Sequence, residues 1–531
     1  MGKIIRRTLT ALLIVILALS AAIVGAVIKP YTATGEDYAN EVESQDIAKL
    51  RARDKAIKKA TKQAGVYLKS YSRSVNSELT DDEVTAITSN AWQLVSEPKY
   101  SSKIVKGSDE TSIIIWTATV EVNVDDSEIQ SWIKRDDKDK STIISQTREA
   151  QKSAEENERK IEDLREKYNR ATSQAEKDNL RKQMTDADRD FLANQKLEEG
   201  NKLVYAKDYY GAIKIYREAI KLKPDWSWPY NNRGLAYSDL GQKERAIQDY
   251  DKAIQLNPNN VEAYNNRGCA YDSLGQKERA IQDFNKAIQL NPNYFEAYNN
   301  RGVAYDSLGQ KERAIQDYDK AIQLNPNLAE VYNNRGCAYD SLGQKERAIQ
   351  DFNKAIQLNP NDDYAYNNRG VAYKNLNQNE RAIQDYNKAI ELNPNDVAYY
   401  YNRGNAYDDL GKSERAIQDY NKAIELNPND AAYYCRGIAY GRLKKYERAI
   451  QDYDKAIEIN PNNVEAYNNR GNAYRHLGQY EKAISDATKA IQINPNFVTA
   501  YMIRGTCYQE LGDEAKAQAD FAKAKELGWN G

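Results

Sequence analysis

Residues 264–293 read YNNRGCAYDSLGQKERAIQDFNKAIQLNPN, and the same line returns with small changes to the end of the chain. The prolines mark its period: Pro224, Pro258, Pro292, Pro326, Pro360, Pro394, Pro428, Pro461 and Pro495. Each step is 34 residues except Pro428 to Pro461, which is 33. A fixed period of this length belongs to stacked units, each burying its apolar face against its neighbours rather than in one globular core.

Within the unit the apolar and small residues fall at helical spacing. Tyr264, Gly268 and Tyr271 line a first helix, expected over 261–274; Ala280, Phe284 and Ala287 line a second, expected over 277–290. Gly275 ends the first helix, because glycine enters the left-handed region at low cost. Asn291-Pro292 ends the second, because proline disfavours a helical residue before it. The small residues let the two backbones approach, and the aromatic rings fill the space between units.

The order Tyr264, Gly268, Tyr271, Ala280, Phe284, Ala287, Pro292 resembles the tetratricopeptide repeat. Placing Gly200, Gly234, Gly268, Gly302, Gly336, Gly370, Gly404, Gly437, Gly471 and Gly505 in one slot gives ten units over 193–531. The first unit departs from the pattern with Leu203 at an aromatic slot, and the last has Trp529 where proline belongs. The resemblance implies a mainly α protein, a superhelix of helix-turn-helix units whose first helices line a concave wall.

Three segments precede the repeats. Residues 1–7 carry Lys3, Arg6 and Arg7, and residues 8–28 carry no charge. An apolar run of about 20 residues spans a bilayer. The basic flank assigns 1–7 to a cytoplasmic tail and 8–28 to a transmembrane anchor of the inner membrane, with the rest of the chain outside the cytoplasm. A cleaved signal peptide is the alternative. Residues 29–136 read as a small α+β domain: a strand in YTATGEDY, a helix over 45–71, a second helix capped by Thr80, and two strands turning at Gly107. The stretches YTATG, RARDKAIKKATKQAGVYLKSYS, VNSELT and ATVEVNV resemble the amino-terminal domain of flagellar assembly protein T, which implies a bacterial envelope module without catalysis. Residues 137–192 are charged and free of proline and glycine, with a seam through Ala150, Ala154, Ile161, Leu164, Tyr168, Ala171 and Ala175 that slips near Ser173. They are expected to form a helical hairpin, or a coiled coil with a break; a solvated spacer is the alternative.

Composition argues against enzyme chemistry. Lys and Arg total 76 against 78 Asp and Glu, so no global charge points to nucleic acid. His476 is the single histidine, and Cys269, Cys337, Cys435 and Cys507 have no metal-ligand spacing. No phosphate-binding loop or nucleophile elbow occurs, and the carboxylates recur with the repeat, as a solvated face does. The expectation is a non-enzyme without metal, cofactor or small-molecule substrate.

Two recurring features carry the functional expectation. Arginines 233, 267, 301, 335, 369, 403, 436, 470 and 504 each precede an aspartate by sixteen residues, and the first unit lacks both, with Glu199 and Ile215 instead. They are expected to meet as half-buried pairs that set register; two independently solvated charges are the alternative. Asn232, Asn266, Asn300, Asn334, Asn368, Asn402 and Asn469 share one slot, two before each glycine. This ladder is similar to the asparagine ladder that holds peptide backbones in the superhelix of O-linked GlcNAc transferase, and an amide offers the donor and acceptor a backbone needs. A packing role for the ladder stays open. With Glu262, Glu296, Glu330, Asp272, Asp306 and Asp340 along the same helices, and Lys277 and its repeats placed on the outer helices, the groove is expected to be acidic. The leading expectation is a membrane-anchored scaffold that holds extended segments of partner proteins. A structural spacer of the envelope without a peptide ligand is the alternative.

Overall fold

The computed structural model describes residues 29–39, 44–74, 79–106, 112–124, 131–132, 135 and 137–529. The expected cytoplasmic tail, the 8–28 anchor and the Gly107 turn lie outside the described residues. Among the described residues no helix is long and apolar enough to cross a membrane. The chain forms two compact units, Met1–Asn300 and Arg301–Gly531.

The first unit begins with β1 (Lys29–Ala39), α1 (Gln45–Ser74), α2 (Asp81–Asn90), β2 (Gln93–Leu94), β3 (Lys99–Lys106) and β4 (Ser112–Val124). The strands make one antiparallel sheet. β1 pairs along one edge of β4 from Lys29 opposite Val124 to Ala39 opposite Ile114, while β2 and β3 pair along its other edge. Ala48, Ala52, Ala56, Ala60, Ala64 and Leu68 recur every fourth residue of α1, and all are fully buried. So small a stripe brings the helix backbone close to the sheet. Gly35 is where they meet: a Cβ there would lie 2.3 Å from the Ala52 carbonyl oxygen and 2.4 Å from the Ala56 nitrogen. Thr80 caps α2 with a complete capping box, its hydroxyl accepting from the Glu83 amide at 3.2 Å and its own amide donating to Glu83 Oε2 at 2.8 Å.

Residues 137–192 lie in a helical hairpin, α3 (Asp137–Arg170) and α4 (Gln174–Tyr205), turning at the Ser173 cap. Ile161, Leu164, Ala171, Leu180, Met184 and Ala187 form its core. The boundary expected at 192 does not exist as a break, because α4 runs on unbroken and is itself the first helix of the first repeat.

A buried ion-pair network ties the sheet domain to this hairpin. Arg165 grips Asp37 with two hydrogen bonds of 2.9 and 3.2 Å and lies over the Tyr38 ring. Arg51 bridges to Asp188 and lies 3.7 Å from Asp37. Burial pushes the Asp37 carboxyl up, but the arginine hydrogen bonds and charges prevail and hold it below its ordinary value. No periodic pattern in the sequence signals these residues.

In the third unit the first helix is shorter at the turn by one residue than expected, and the second has the expected bounds. The third unit has Val261–Ser273 and Lys277–Leu290. Gly275 is at φ +74°, with the Gln276 amide bonded to the Tyr271 carbonyl at 2.9 Å, which closes the helix end. Asn291 Oδ1 accepts from the Asn293 amide, fixing the Asn-Pro-Asn link. Phe284 packs on Gly268 so tightly that a Cβ there would sit 2.6 Å from the ring. The 33-residue unit keeps a full thirteen-residue first helix, Asp430–Arg442. Its missing residue comes from the link: 427–429 stand where other units have four residues, such as 257–260. The deletion thus tightens the loop and leaves the helix whole.

Candidate peptide-binding face

The nine arginines all reach the aspartate sixteen residues on. Arg335 is representative: Nε donates to Asp351 Oδ2 at 2.8 Å and Nη2 to Oδ1 at 2.7 Å, a two-pronged grip between the two helices of one unit. Asp351 is 6% exposed. The guanidinium also lies 5.6 Å from the Tyr332 ring and 5.9 Å from Tyr339, which removes water from its faces. Burial lowers its pKa, but the Asp351 and Asp319 hydrogen bonds and charges more than offset this and hold it above the ordinary value. One contact was not legible in the sequence. The remaining nitrogen, Nη1, turns to the preceding unit, to Asp319 from Arg335, Asp251 from Arg267 and Asp454 from Arg470. Where asparagine stands there instead, as Asn353 or Asn387, its side-chain oxygen accepts at 2.6 Å. Arg267, Arg335, Arg369, Arg403, Arg436, Arg470 and Arg504 therefore each join three helices.

The asparagine ladder is a chain of amides. Nδ2 of Asn266, Asn300, Asn368 and Asn402 donates to Oδ1 of Asn231, Asn265, Asn333 and Asn367 at 3.0–3.2 Å. Asn469 donates to the Tyr434 hydroxyl at 3.1 Å. Asn334 occupies the same slot, half-buried. Asn232 differs: it is fully buried and bonds Asn201 at 3.0 Å. No ligand can reach it in this packing, so it leaves the ligand-facing set. The other six keep part of their surface exposed while serving as packing groups between units.

At the amino-terminal end the chain of amides continues into a backbone. Asn201 Nδ2 donates to the Gln146 carbonyl of α3 at 3.2 Å, and Asn194 Nδ2 to the Ala150 carbonyl at 3.4 Å. Burial raises the Glu262 pKa, with Arg148 and Lys152 of the same α3 opposing it. In the first unit, then, first-helix amides and an acid of the repeats meet the main chain and the cations of a segment from outside the repeats.

The expected separation of charge by face is corrected at the helix turns. Lys277, Lys311 and Lys345 were placed on the outer side, but each reaches the aspartate of its own turn: Asp272 at 2.7 Å, Asp306 at 2.8 Å and Asp340 at 2.9 Å. Five residues across a turn bring the ammonium back to the groove edge, so these aspartates are neutralised. Acidity along this strip rests on the glutamates at the helix starts.

A second group of charges lies in a cavity between α1, α3 and α4, lined by Lys58, Glu158, Glu198 and the Arg165–Asp37 pair. Burial pushes the Glu198 carboxyl up to about 7, the Asp54 charge adds to this, and Lys58 and Lys202 oppose it. Burial pulls Lys202 down to about 8, against Glu198 and Asp54; its ammonium lies 3.1 Å from the Trp92 ring. A carboxyl raised by folding stabilises the fold fully below its unfolded value of 4.5, and that contribution is lost as pH rises through about 7. A lysine lowered by folding contributes above 10.5 and loses the contribution as pH falls through about 8. Packing of α1 on α4 is therefore expected to be weakest near pH 7 to 8. Urea unfolding followed by tryptophan fluorescence should show that minimum, and Glu198→Gln should flatten its acid side. A wild-type stability that climbs steadily from pH 5 to 8 would contradict the assignment.

The four cysteines are free, and burial raises the Cys337 thiol to about 12 and Cys507 to about 11, which keeps both protonated. His476 stacks on Tyr446 at 4.7 Å.

Paired antiparallel helices of constant length, glycine-on-aromatic contacts and one link per unit define a helical repeat protein whose first helices share a polar face. Family models for the tetratricopeptide repeat match residues 227–260, 261–294, 295–328, 329–362, 364–396, 397–430, 431–463 and 464–497, with further repeat matches at 200–241 and 498–527. The chain belongs to the tetratricopeptide repeat family. It is 42% identical over 62 residues to small glutamine-rich tetratricopeptide repeat-containing protein 2 of Mycosarcoma maydis, covering 12% of this chain and 18% of that relative's length. Among solved structures it is similar to a tetratricopeptide repeat protein from Parabacteroides merdae, at 24% identity over 46% of this chain and 98% of that one, with a TM-score of 0.38. It is also similar to MamA, at 33% identity over 30% of this chain and 93% of that one, TM-score 0.28. A third is YrrB, described as having an unusual peptide-binding site, at 24% over 35% and 96%, TM-score 0.31.

Proposed function

We propose that the repeats are a scaffold that holds extended or helical segments of partner proteins along the asparagine face. The observation that carries this is the pair of bonds from Asn201 and Asn194 to the Gln146 and Ala150 carbonyls. Two buried amides of the first repeat helix, outside the ladder slot itself, here bond main-chain carbonyls, and an amide can do so for any sequence because every residue offers the same carbonyl. Asn266, Asn300, Asn334, Asn368, Asn402 and Asn469 are the residues proposed to contact a partner. We propose further that 8–28 anchors the chain in the inner membrane with the repeats outside the cytoplasm, and that 29–136 is an envelope module of the flagellar assembly protein T kind; an active alkaline phosphatase fused after Gly531 would agree with that topology, and an inactive one would not.

Panning a random peptide library on the full chain tests the scaffold. Peptides that enrich should bind about tenfold more weakly to the Asn368→Ala/Asn402→Ala variant, since two lost hydrogen bonds of about 0.5–1.5 kcal/mol each sum to that range. The same substitutions also remove bonds between units, so some fall in melting temperature accompanies them, with helix content retained. Enrichment that ignores the variant, or no enrichment at all, favours the spacer.

A further inference from the structure

Within 301–531 the turns between paired helices depart from the common pattern at 374–379 and again at 441–446 and 475–480. In the third repeat the turn is DSLGQK, residues 272–277, and 306–311 and 340–345 are identical. Each carries one acid and one base, paired as described. At 441–446 the turn is GRLKKY, and at 475–480 it is RHLGQY. The aspartate has become Gly441 or Arg475, and the lysine that neutralised it has become Tyr446 or Tyr480. Both members of the pair are lost together, and Arg442, Lys444, Lys445 and Arg475 appear in windows without a carboxylate.

The geometry gathers these charges. Arg442 is paired with Asp408 of the preceding turn, Nη1 2.9 Å from Oδ2, so the net positive charge rests on Lys444, Lys445 and Arg475. Arg475 bonds the Asn472 side-chain oxygen at 3.0–3.1 Å, and its Nη2 lies 3.1 Å from His476 Nε2. The Tyr446 and His476 rings stack 6° from parallel and lock one turn against the next. Burial lowers the His476 pKa, and the charges of Arg475 and Lys444 lower it further. Lys444, Lys445 and His476 are exposed. His476 follows Asn469 by seven residues, about 700° of helical rotation, which puts it on the ladder face two turns on.

We infer that the turns at 441–446 and 475–480 form a cationic docking surface for an acidic segment of a partner protein, continuous with the asparagine face. This rests on the proposed scaffold role and gives it a direction of charge opposite to that of the helix starts. A protein segment fits better than nucleic acid, because Asn469 of the ladder, two turns before His476, offers a main-chain partner. Charge at such a site speeds capture and weakens with salt.

The test uses the full chain and two fluorescein-labelled probes, a peptide of alternating glutamate and glycine and one of alternating lysine and glycine. The variant Lys444→Gly/Lys445→Gln/Arg475→Asp restores the residues that the third repeat carries at these slots, and Lys444 sits at φ +58°, where glycine is unstrained. The glutamate probe should bind, the lysine probe should bind these turns less well, and the variant should lose about tenfold in affinity for the glutamate probe with melting retained. An unchanged affinity in the variant overturns the inference. So does displacement of the probe by single-stranded RNA or inorganic phosphate at lower concentration than by unlabelled glutamate peptide. If the glutamate probe fails while library peptides bind through Asn368 and Asn402, the scaffold stands and the patch fails. If no peptide of any kind binds, the scaffold reading fails first.

Discussion

Arg335→Met is expected to destabilise residues 301–531 by about 3–5 kcal/mol, because it leaves the Asp351 carboxylate buried without its partner. The side chain of Arg335 is 18% exposed and that of Asp351 9%, so water can rescue little of the loss. The double variant Arg335→Met/Asp351→Leu should recover much of the stability, since neither charge then remains to be solvated. Chemical denaturation of the four proteins of this cycle reads the coupling directly. Additive losses would mean that the two charges act independently and that the two-pronged geometry contributes nothing to register. The contact to Asp319 sets a floor, because that exposed partner returns to water at small cost.

Gly35→Ala is expected to have an effect of similar size in a different place. The new methyl would meet the backbone of α1 at Ala52 and Ala56, and a helix backbone pinned by a buried alanine stripe cannot yield as a side chain can. Either the sheet domain opens or α1 lifts from β1. Limited proteolysis should show cleavage within 29–136 while the repeat fragment persists. Gly336→Ala is the comparison: its methyl would first meet the Phe352 ring, at 2.7 Å, and a ring can tilt. Equal resistance of Gly35→Ala and wild type to protease would show that the helix is not held as close as described.

The repeats were legible because periodicity makes every local signal redundant. Gly275 stops a helix, Asn291-Pro292 stops the next, and the same two signals recur at each step, so an error in one unit is corrected by its neighbours. The arginine–aspartate pairs were legible for the same reason, helped by their joint absence from the first unit. What escaped was single or long-range. Asp37, Arg51, Arg165 and Asp188 come from four different elements and follow no period. The reach of Lys277 to Asp272 escaped because face assignment by helical angle ignores the length of a lysine side chain. The ladder's slot was legible and its partners were not. Sequence shows that Asn265 and Asn266 are adjacent, but only stacking brings Asn265 under Asn300, and Asn367 under Asn402, and links the two columns of amides into a chain within each compact unit.

That chain has a consequence for how arrays of this kind lengthen and shorten. In a typical unit the ladder amide donates backward, its neighbour accepts from ahead, and arginine and aspartate arrive on the same 34-residue copy, as Asn368, Asn367, Arg369 and Asp385 do. Duplicating or excising one whole copy therefore leaves no buried amide or charge without a partner at either seam. The polar interior, which in most folds would forbid such an event, travels here with the unit that needs it. The first copy is bound to its place, where Asn201 passes the chain to the Gln146 carbonyl. Copy number is thus free to drift by slippage of the coding repeat among the units that carry the full set.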